Sequence, residues 1–240
     1  MRPLLVLATG TPVPVVQAVH GDFDAFFRLG VGDAWQGPWA TADACALDRP
    51  LPALDSFAGV IVTGSSSSVT ERAPWMLRLE EWLRGAVDAE VPLLGVCFGH
   101  QILAQALGGE VRHNPRGRRI GTLEVQRTPE GADDPLFLGV PGAFAINVSH
   151  KDHVAVVPPG VVPLVRADHD ELHAFAAGKR ARAVQFHPEF HAAIARGYIA
   201  ARHELLKTEG LDPDALGAAV IDPPYARTIL GNFVRGFVAG

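Results

Sequence analysis

Cysteine is nearly absent from this chain: two thiols, Cys45 and Cys97, in 240 residues. Two thiols make no disulfide framework, so a fold of this length must rest on its apolar core. The composition suits a reducing compartment, and a cytoplasmic location is expected. Positive charge is also scarce. Lys and Arg number 21 against 26 Asp and Glu, a formal net charge of −5, which lacks the basic footprint of a nucleic-acid binder. Long apolar runs are missing too. Leu4 to Ala8 is too short for a signal-peptide core, and nothing later approaches the ~18 consecutive apolar residues of a membrane span. Neither an internal repeat nor a G-x-x-x-x-G-K-[ST] phosphate loop is present. Apolar residues, by contrast, make up 48% of the chain and charged ones 20%, the balance of a globular protein. The expectation is one domain over residues 1–240, with a helical C-terminal extension from about 208.

Along the chain, Pro3 to Thr9 reads as a short buried first strand. The next stretch, to Phe23, reads as a loop because Pro12 and Pro14 remove backbone donors. Asp22 to Leu29 predicts a helix with Phe23, Phe26 and Phe27 on one face, Asp22 as its cap and Gly30 as its end. Ala40 to Leu47 is a weaker strand, in which Cys45 packs. Phe57 to Thr63 is a second buried strand, ending in Gly64 and four serines. A polar small-residue loop at that end of a strand is where open α/β sheets bind ligands, although serine runs are also plain flexible loops. Pro74 opens a helix whose Trp75, Met76, Leu79, Trp82, Leu83, Ala86 and Val87 follow the helical period and face the core. The first half is therefore a doubly wound α/β layer with a mainly parallel sheet. From Glu110 onward, short strands punctuated by Gly and Pro predict an added antiparallel edge. Two helices, from Glu189 to Lys207 and from Tyr225 to Val238, close the fold, and the stretch between them has linker composition.

The stretch that carries chemistry is Val91 to Leu107, VPLLGVCFGHQILAQAL. It reads as a buried strand, a tight turn and an amphipathic helix, with Cys97 at the turn. Gly95 and Gly99 flank the cysteine at i−2 and i+2, the glycine spacing of a G-x-S-x-G nucleophile elbow with sulfur for oxygen. Such a turn pushes the thiol towards the N-terminus of the following helix, where unpaired N–H groups favour a thiolate. The competing reading is a cysteine that merely packs.

A cysteine nucleophile needs a base close in space. His100 follows in the helix and is expected to point away. His169 and His173 frame H-D-E-L-H, but Asp170 and the strand-like surroundings depart from the zinc-binding H-E-x-x-H, so no metal site is expected. His150, Asp152 and His153 form a polar turn that is ligand-facing or solvated. The best base is His187 in Q-F-H-P-E, delivered by an apolar strand to the same sheet edge as Cys97. Pro188 ends the strand, and Glu189 can fold back to accept from the imidazole, the orienting role of a third triad member. A plain strand end would explain the same residues.

The two motifs together are more specific than either alone. G-V-C-F-G-H-Q followed 90 positions later by Q-F-H-P-E resembles the class I glutamine amidotransferases. Within that family the PRGRRIGTLEV and SHKDHV segments look most like stand-alone proteins akin to the amidotransferase domain of GMP synthase. Some relatives cleave γ-glutamyl peptides instead. The resemblance implies a three-layer α/β/α flavodoxin-like fold and hydrolysis of the glutamine side-chain amide through a Cys97 γ-glutamyl thioester. By the same resemblance His187 would serve as acid and base, and Glu189 would orient it. Phe98 and the Gly64–Ser65 loop would supply oxyanion N–H groups, although Ser65 stands where the family commonly has a second glycine and would resist a positive φ. Gln101, Ser149 and His150 would hold the substrate's amino-acid end. No cofactor is implied. About 40 residues follow Tyr198, too few for a synthetase domain, so ammonia would pass to a separate synthetase subunit. The alternatives are an independent γ-glutamyl hydrolase or transferase, and a non-catalytic binding or regulatory protein.

Overall fold

The computed structural model describes residues 1–168 and 170–239. Its central feature is a nine-stranded sheet, built outward from β1 (Leu4–Ala8). Both faces of β1 are covered: Leu4 and Val6 enter the core on one side, Leu5 and Leu7 the core on the other. A strand buried on both faces must be apolar throughout rather than alternating, which is why LLVLA carries no polar residue. β1 pairs in parallel with β2 (Trp39–Asp43) and with β3 (Gly59–Val62). β4 (Leu93–Val96) lies in parallel beyond β3.

The second half supplies seven more strands: β5 (Glu110–His113), β6 (Arg119–Arg127), β7 (Ala143–His150), β8 (Asp152–Val156), β9 (Val162–Ala167), β10 (Asp170–Ala177) and β11 (Ala181–Val184). The sheet order is β2-β1-β3-β4-β11-β10-β9-β6-β7. Its first five strands are parallel, in the 2-1-3-4-5 order of flavodoxin-like sheets, with β11 as the fifth. The last four form the expected antiparallel edge. β5 and β8 leave that edge and pair with each other as a separate ribbon.

Helices cover both faces. They are α1 (Pro14–His20), α2 (Phe23–Val31), α3 (Pro74–Asp88), α4 (Phe98–Ala106), α5 (Pro129–Asp133), α6 (Ala192–Ala201), α7 (His203–Thr208), α8 (Pro213–Ala219) and α9 (Ala226–Phe233). Phe23, Phe26 and Phe27 of α2 share one core with Ile229, Leu230 and Phe233 of α9. The opposite core joins Met76, Leu79 and Leu83 of α3 to Ile102 and Leu103 of α4. The result is a three-layer α/β/α fold. Among the described residues no helix is long and apolar enough to cross a membrane.

Five local expectations are corrected. The stretch expected to be a loop holds α1, because Pro14 sits at its first turn, where a missing N–H costs nothing. Gly30 does not end α2; it lies inside, where any Cβ would meet Leu230 of α9 at 2.5 Å, and the helix stops at Gly32 with φ 50°. Asp22 occupies the cap position without capping, its carboxylate accepting instead from Gln17 at 2.7 Å. The expected linker contains α8, whose N-terminal amides of Asp214 and Ala215 donate to the Asp212 side chain. The single helix expected over 189–207 is two, α6 and α7, broken at Arg202 (φ −115°, ψ 15°).

The turn between β4 and α4 leaves no room for side chains at its glycines. A Cβ at Gly95 would lie 2.6 Å from the Gly99 carbonyl oxygen, and one at Gly99 would lie 2.4 Å from that of Val62 in β3. Both clashes are with backbone that cannot rotate away. Gly99→Ala should therefore cost about 2–3 kcal/mol or more in urea unfolding. Gly217→Ala, with nothing within 4 Å in α8, should be neutral or stabilise by up to ~1 kcal/mol. Equal effects at the two glycines would mean that the turn can relax.

Candidate functional site

Cys97 is the hinge residue of that turn. Its N–H extends the parallel ladder to Val184 of β11 at 2.9 Å, and its carbonyl accepts from Gln101 inside α4 at 3.1 Å. A residue that belongs to both a strand and a helix must bend sharply, and Cys97 does so at φ 53°, ψ −99°. A side chain in that conformation costs about 1–3 kcal/mol. The Gly99 N–H is used by Thr63 at 3.1 Å. The Phe98 N–H opens the first turn of α4, where amides have no partner within the helix.

Parallel pairing of β11 with β4, Val184 opposite Val96, brings the next residues of both strands to one edge. His187 is buried there. Its N–H is held by Asn147 at 2.8 Å, and its Nδ1 donates to Glu189 Oε1 at 2.7 Å. The imidazole stacks on Phe190, with ring centroids 3.9 Å apart and planes 13° from parallel. Its Cε1 atom meets Gly64, where a Cβ would stand 3.0 Å from the ring and 3.7 Å from Cys97 Cβ. Any side chain at 64 would separate sulfur from imidazole. Burial by itself would depress the His187 pKa. The Glu189 carboxylate and the charge of a Cys97 thiolate outweigh it and raise the pKa to about 10.

Ser65 is not among the residues with positive φ, so the strain expected from replacing a glycine there does not arise. Its hydroxyl accepts from the Ser67 N–H at 3.1 Å, and the Gly64 carbonyl is tied to the Thr9 and Thr63 hydroxyls at 2.9 Å each. Ser149 presents its carbonyl to Cys97 Sγ at 3.8 Å. His150 is buried, with Nδ1 donating to the Asp152 carbonyl at 2.9 Å. Gln101 lines the cleft, but its amide donates to the Asp152 carbonyl and to Gln185 Oε1, both at 3.0 Å. What it leaves for a ligand is the amide oxygen. All the expected site residues thus come to one sheet edge.

The other polar candidates are placed elsewhere. His100 is fully buried, donates to the Leu172 carbonyl at 2.8 Å and has a pKa lowered to about 4, chiefly by burial. His173 packs in β10 near Asp170, and His169 lies outside the described residues. Among the described residues no group of three or more His, Cys, Asp or Glu could hold a metal ion. Cys45 is half-buried, and burial with the nearby Asp43 raises its thiol to about pKa 11.

The cleft has two lobes that share Ser65, Ser66, Cys97, Ser149 and Arg202. The polar lobe adds Gln101, His113, Arg118, His150 and Asp152. The other, of about 200 Å³, adds His187 and a wall of Pro12, Val13, Pro14, Phe23 and Tyr198. Tyr198, Arg202 and Asn147 escaped the sequence reading. The first two stand four residues apart in the stretch expected to be helical over 189–207, a spacing that could have marked them.

The sequence model of the family "Glutamine amidotransferase class-I" matches residues 39–203, well over half of the chain. The chain belongs to the class I glutamine amidotransferases. γ-Glutamyl peptidase 5 of Arabidopsis thaliana is 27% identical over 198 residues, covering 80% of this chain and 77% of that protein. GMP synthase [glutamine-hydrolyzing] of Leifsonia xyli subsp. xyli is 40% identical over 153 residues, 62% of this chain but 28% of the synthase. This amidotransferase chain therefore aligns with little more than a quarter of that larger enzyme. A crystal structure of a glutamine amidotransferase from Thermotoga maritima superposes over 100% of both chains, with a TM-score of 0.75 at 21% identity, which shows the shared fold.

Two measurements follow from this geometry. In Glu189→Gln the neutral amide removes the charge that offsets burial, so the NMR titration midpoint of His187 should fall from about 10. A midpoint that stays would mean that Glu189 does not set it. Alkylation of Cys97→Ala, which leaves Cys45 as its thiol, should be slow at pH 8 and accelerate only towards pH 11. Fast labelling at pH 8 would contradict the raised Cys45 pKa.

Proposed function

We propose that the protein hydrolyses the side-chain amide of glutamine, or of a γ-glutamyl compound, through a thioester on Cys97. The observation that carries this reading is the strained cysteine turn beside a buried His187–Glu189 pair, three groups on one sheet edge. The proton shed by Cys97 resides on His187. Sulfur attacks the γ-carbonyl carbon, forming the C–S bond, and the oxyanion is received by the Phe98 N–H and the Gly64–Ser65 backbone. As the C–N bond breaks, His187 protonates the departing nitrogen. A water then attacks the thioester and gives its proton to His187, the C–S bond breaks, and glutamate leaves. Glu189 holds the imidazole in one tautomer and stabilises its charged form. Gln101, Ser149 and His150 border the polar lobe, which suits the amino-acid end of the substrate.

When glutamine is the substrate the product is ammonia, which a separate synthetase would consume; the likeness to GMP synthases over this part of their length supports that fate. A second reading, an independent γ-glutamyl peptide hydrolase, is favoured by the lobe beside His187. At about 200 Å³ it is several times the roughly 30 Å³ share of a small molecule such as water, and the likeness to a γ-glutamyl peptidase is in keeping with it.

Release of glutamate from glutamine and from γ-glutamyl dipeptides by the protein alone is the test. Cys97→Ala should remove turnover, and His187→Ala should lower kcat about 10³-fold or more, with Glu189→Gln less severe. Turnover retained in Cys97→Ala would sink the thioester. Dipeptides preferred over glutamine would select the second reading.

A further inference from the structure

The lobe that holds His187 receives the departing nitrogen, so its walls choose the amine that the enzyme releases. Those walls are apolar on one side, from Pro12, Val13, Phe23 and Tyr198, and none of its lining residues is Asp or Glu. Its one permanently charged side chain is Arg202, at the break between α6 and α7. The guanidinium lies over the Tyr198 ring, 5.0 Å from its centroid, and Nη1 donates to the Tyr198 carbonyl at 3.5 Å.

No carboxylate among the described residues pairs with Arg202. Its pKa is lowered first by burial and then by Arg118. Arg118 itself is neutralised by a two-pronged pair with Glu209 at 2.8 and 3.1 Å. A partly buried guanidinium without a carboxylate partner, fixed on an aromatic ring beside the reacting sulfur, can receive a carboxylate. The polar lobe carries its own carboxylates, Glu71 and Asp152, and its own cations, Arg118 and Lys151. Past Thr11 and Phe23 a neighbouring cavity is lined by Asp22, Asp24 and Asp43, which would repel an anion and keep it at the Arg202 end.

We infer that Arg202 is a specificity residue for the leaving group, pairing with the carboxylate of a released α-amino acid whose apolar side chain packs on Val13, Phe23 and Tyr198. The natural substrate class is then a γ-glutamyl amino acid or peptide with an apolar residue after the γ-glutamyl bond. This inference rests on the hydrolytic reading above and deepens its second form.

The experiment compares γ-glutamylphenylalanine with γ-glutamylphenethylamide, which differs only in lacking the carboxylate. In the intact protein the acid should have the higher kcat/KM. In Arg202→Gln the acid-to-amide ratio should fall about tenfold or more, mainly through KM, and Arg202→Lys should restore part of it. Calorimetry on Cys97→Ala separates binding from chemistry: the acid should bind more tightly, and Cys97→Ala/Arg202→Gln should lose the difference. Discrimination in binding without turnover in the intact protein would overturn the hydrolytic reading while upholding the carboxylate site. An acid-to-amide ratio unchanged by Arg202→Gln, or equal binding of the two compounds to Cys97→Ala, would overturn the role of Arg202.

Discussion

The contact on which the site depends is the closeness of helix α4 to strand β3. Gly99 lies against the Val62 carbonyl with no room for a methyl group, and its N–H is bonded to Thr63. That approach lets α4 start directly at the end of β4, which forces Cys97 into its positive-φ conformation. The strain is held by the regular elements on both sides: the ladder bond to Val184 before it and the helical bond from Gln101 after it. A looser turn would bury the thiol or let it swing away from the histidine. A nucleophile reading of Cys97 therefore begins with two missing side chains.

The second constraint is charge. His187 is fully enclosed between Phe190 and Gly64, an environment that by itself favours neutral imidazole. The Glu189 carboxylate, together with the charge of a Cys97 thiolate, reverses this and holds the ring protonated. An acid that must give its proton to a departing nitrogen suits such a setting. His100, equally buried but without a carboxylate bonded to its ring, goes the other way and stays neutral. Two equally buried histidines of one fold differ in proton affinity because only one of them has a carboxylate and a thiolate beside its ring.

Around this centre the cleft divides by polarity. The β7–β8 turn and the serine loop build a side rich in hydrogen-bonding groups, whereas the segment before α1 and the end of α6 build an apolar side with one guanidinium. The division follows from topology. The polar side is carried by the loop after β3, the start of α4 and the β7–β8 turn, and the apolar side by the segment after β1 and the end of α6.

The sequence by itself determined the parallel half of the fold, because strands buried on both faces and a helix with an apolar stripe have no other reading. It also determined the cysteine turn, since only a backbone contact requires glycine at both 95 and 99. The H-P-E strand end and its pairing with that turn were legible through spacing and resemblance. Local pattern failed where the deciding partner is distant. Pro14 looked like a breaker until it stood at a helix start, and Gly30 looked like a stop until Leu230 was packed against it. Only the tertiary structure decided that β11 lies beside β4, which sets His187 next to Cys97. Only it decided that Arg202 reaches the cleft without a carboxylate partner, because charge compensation depends on which groups meet in space and no spacing along the chain encodes that.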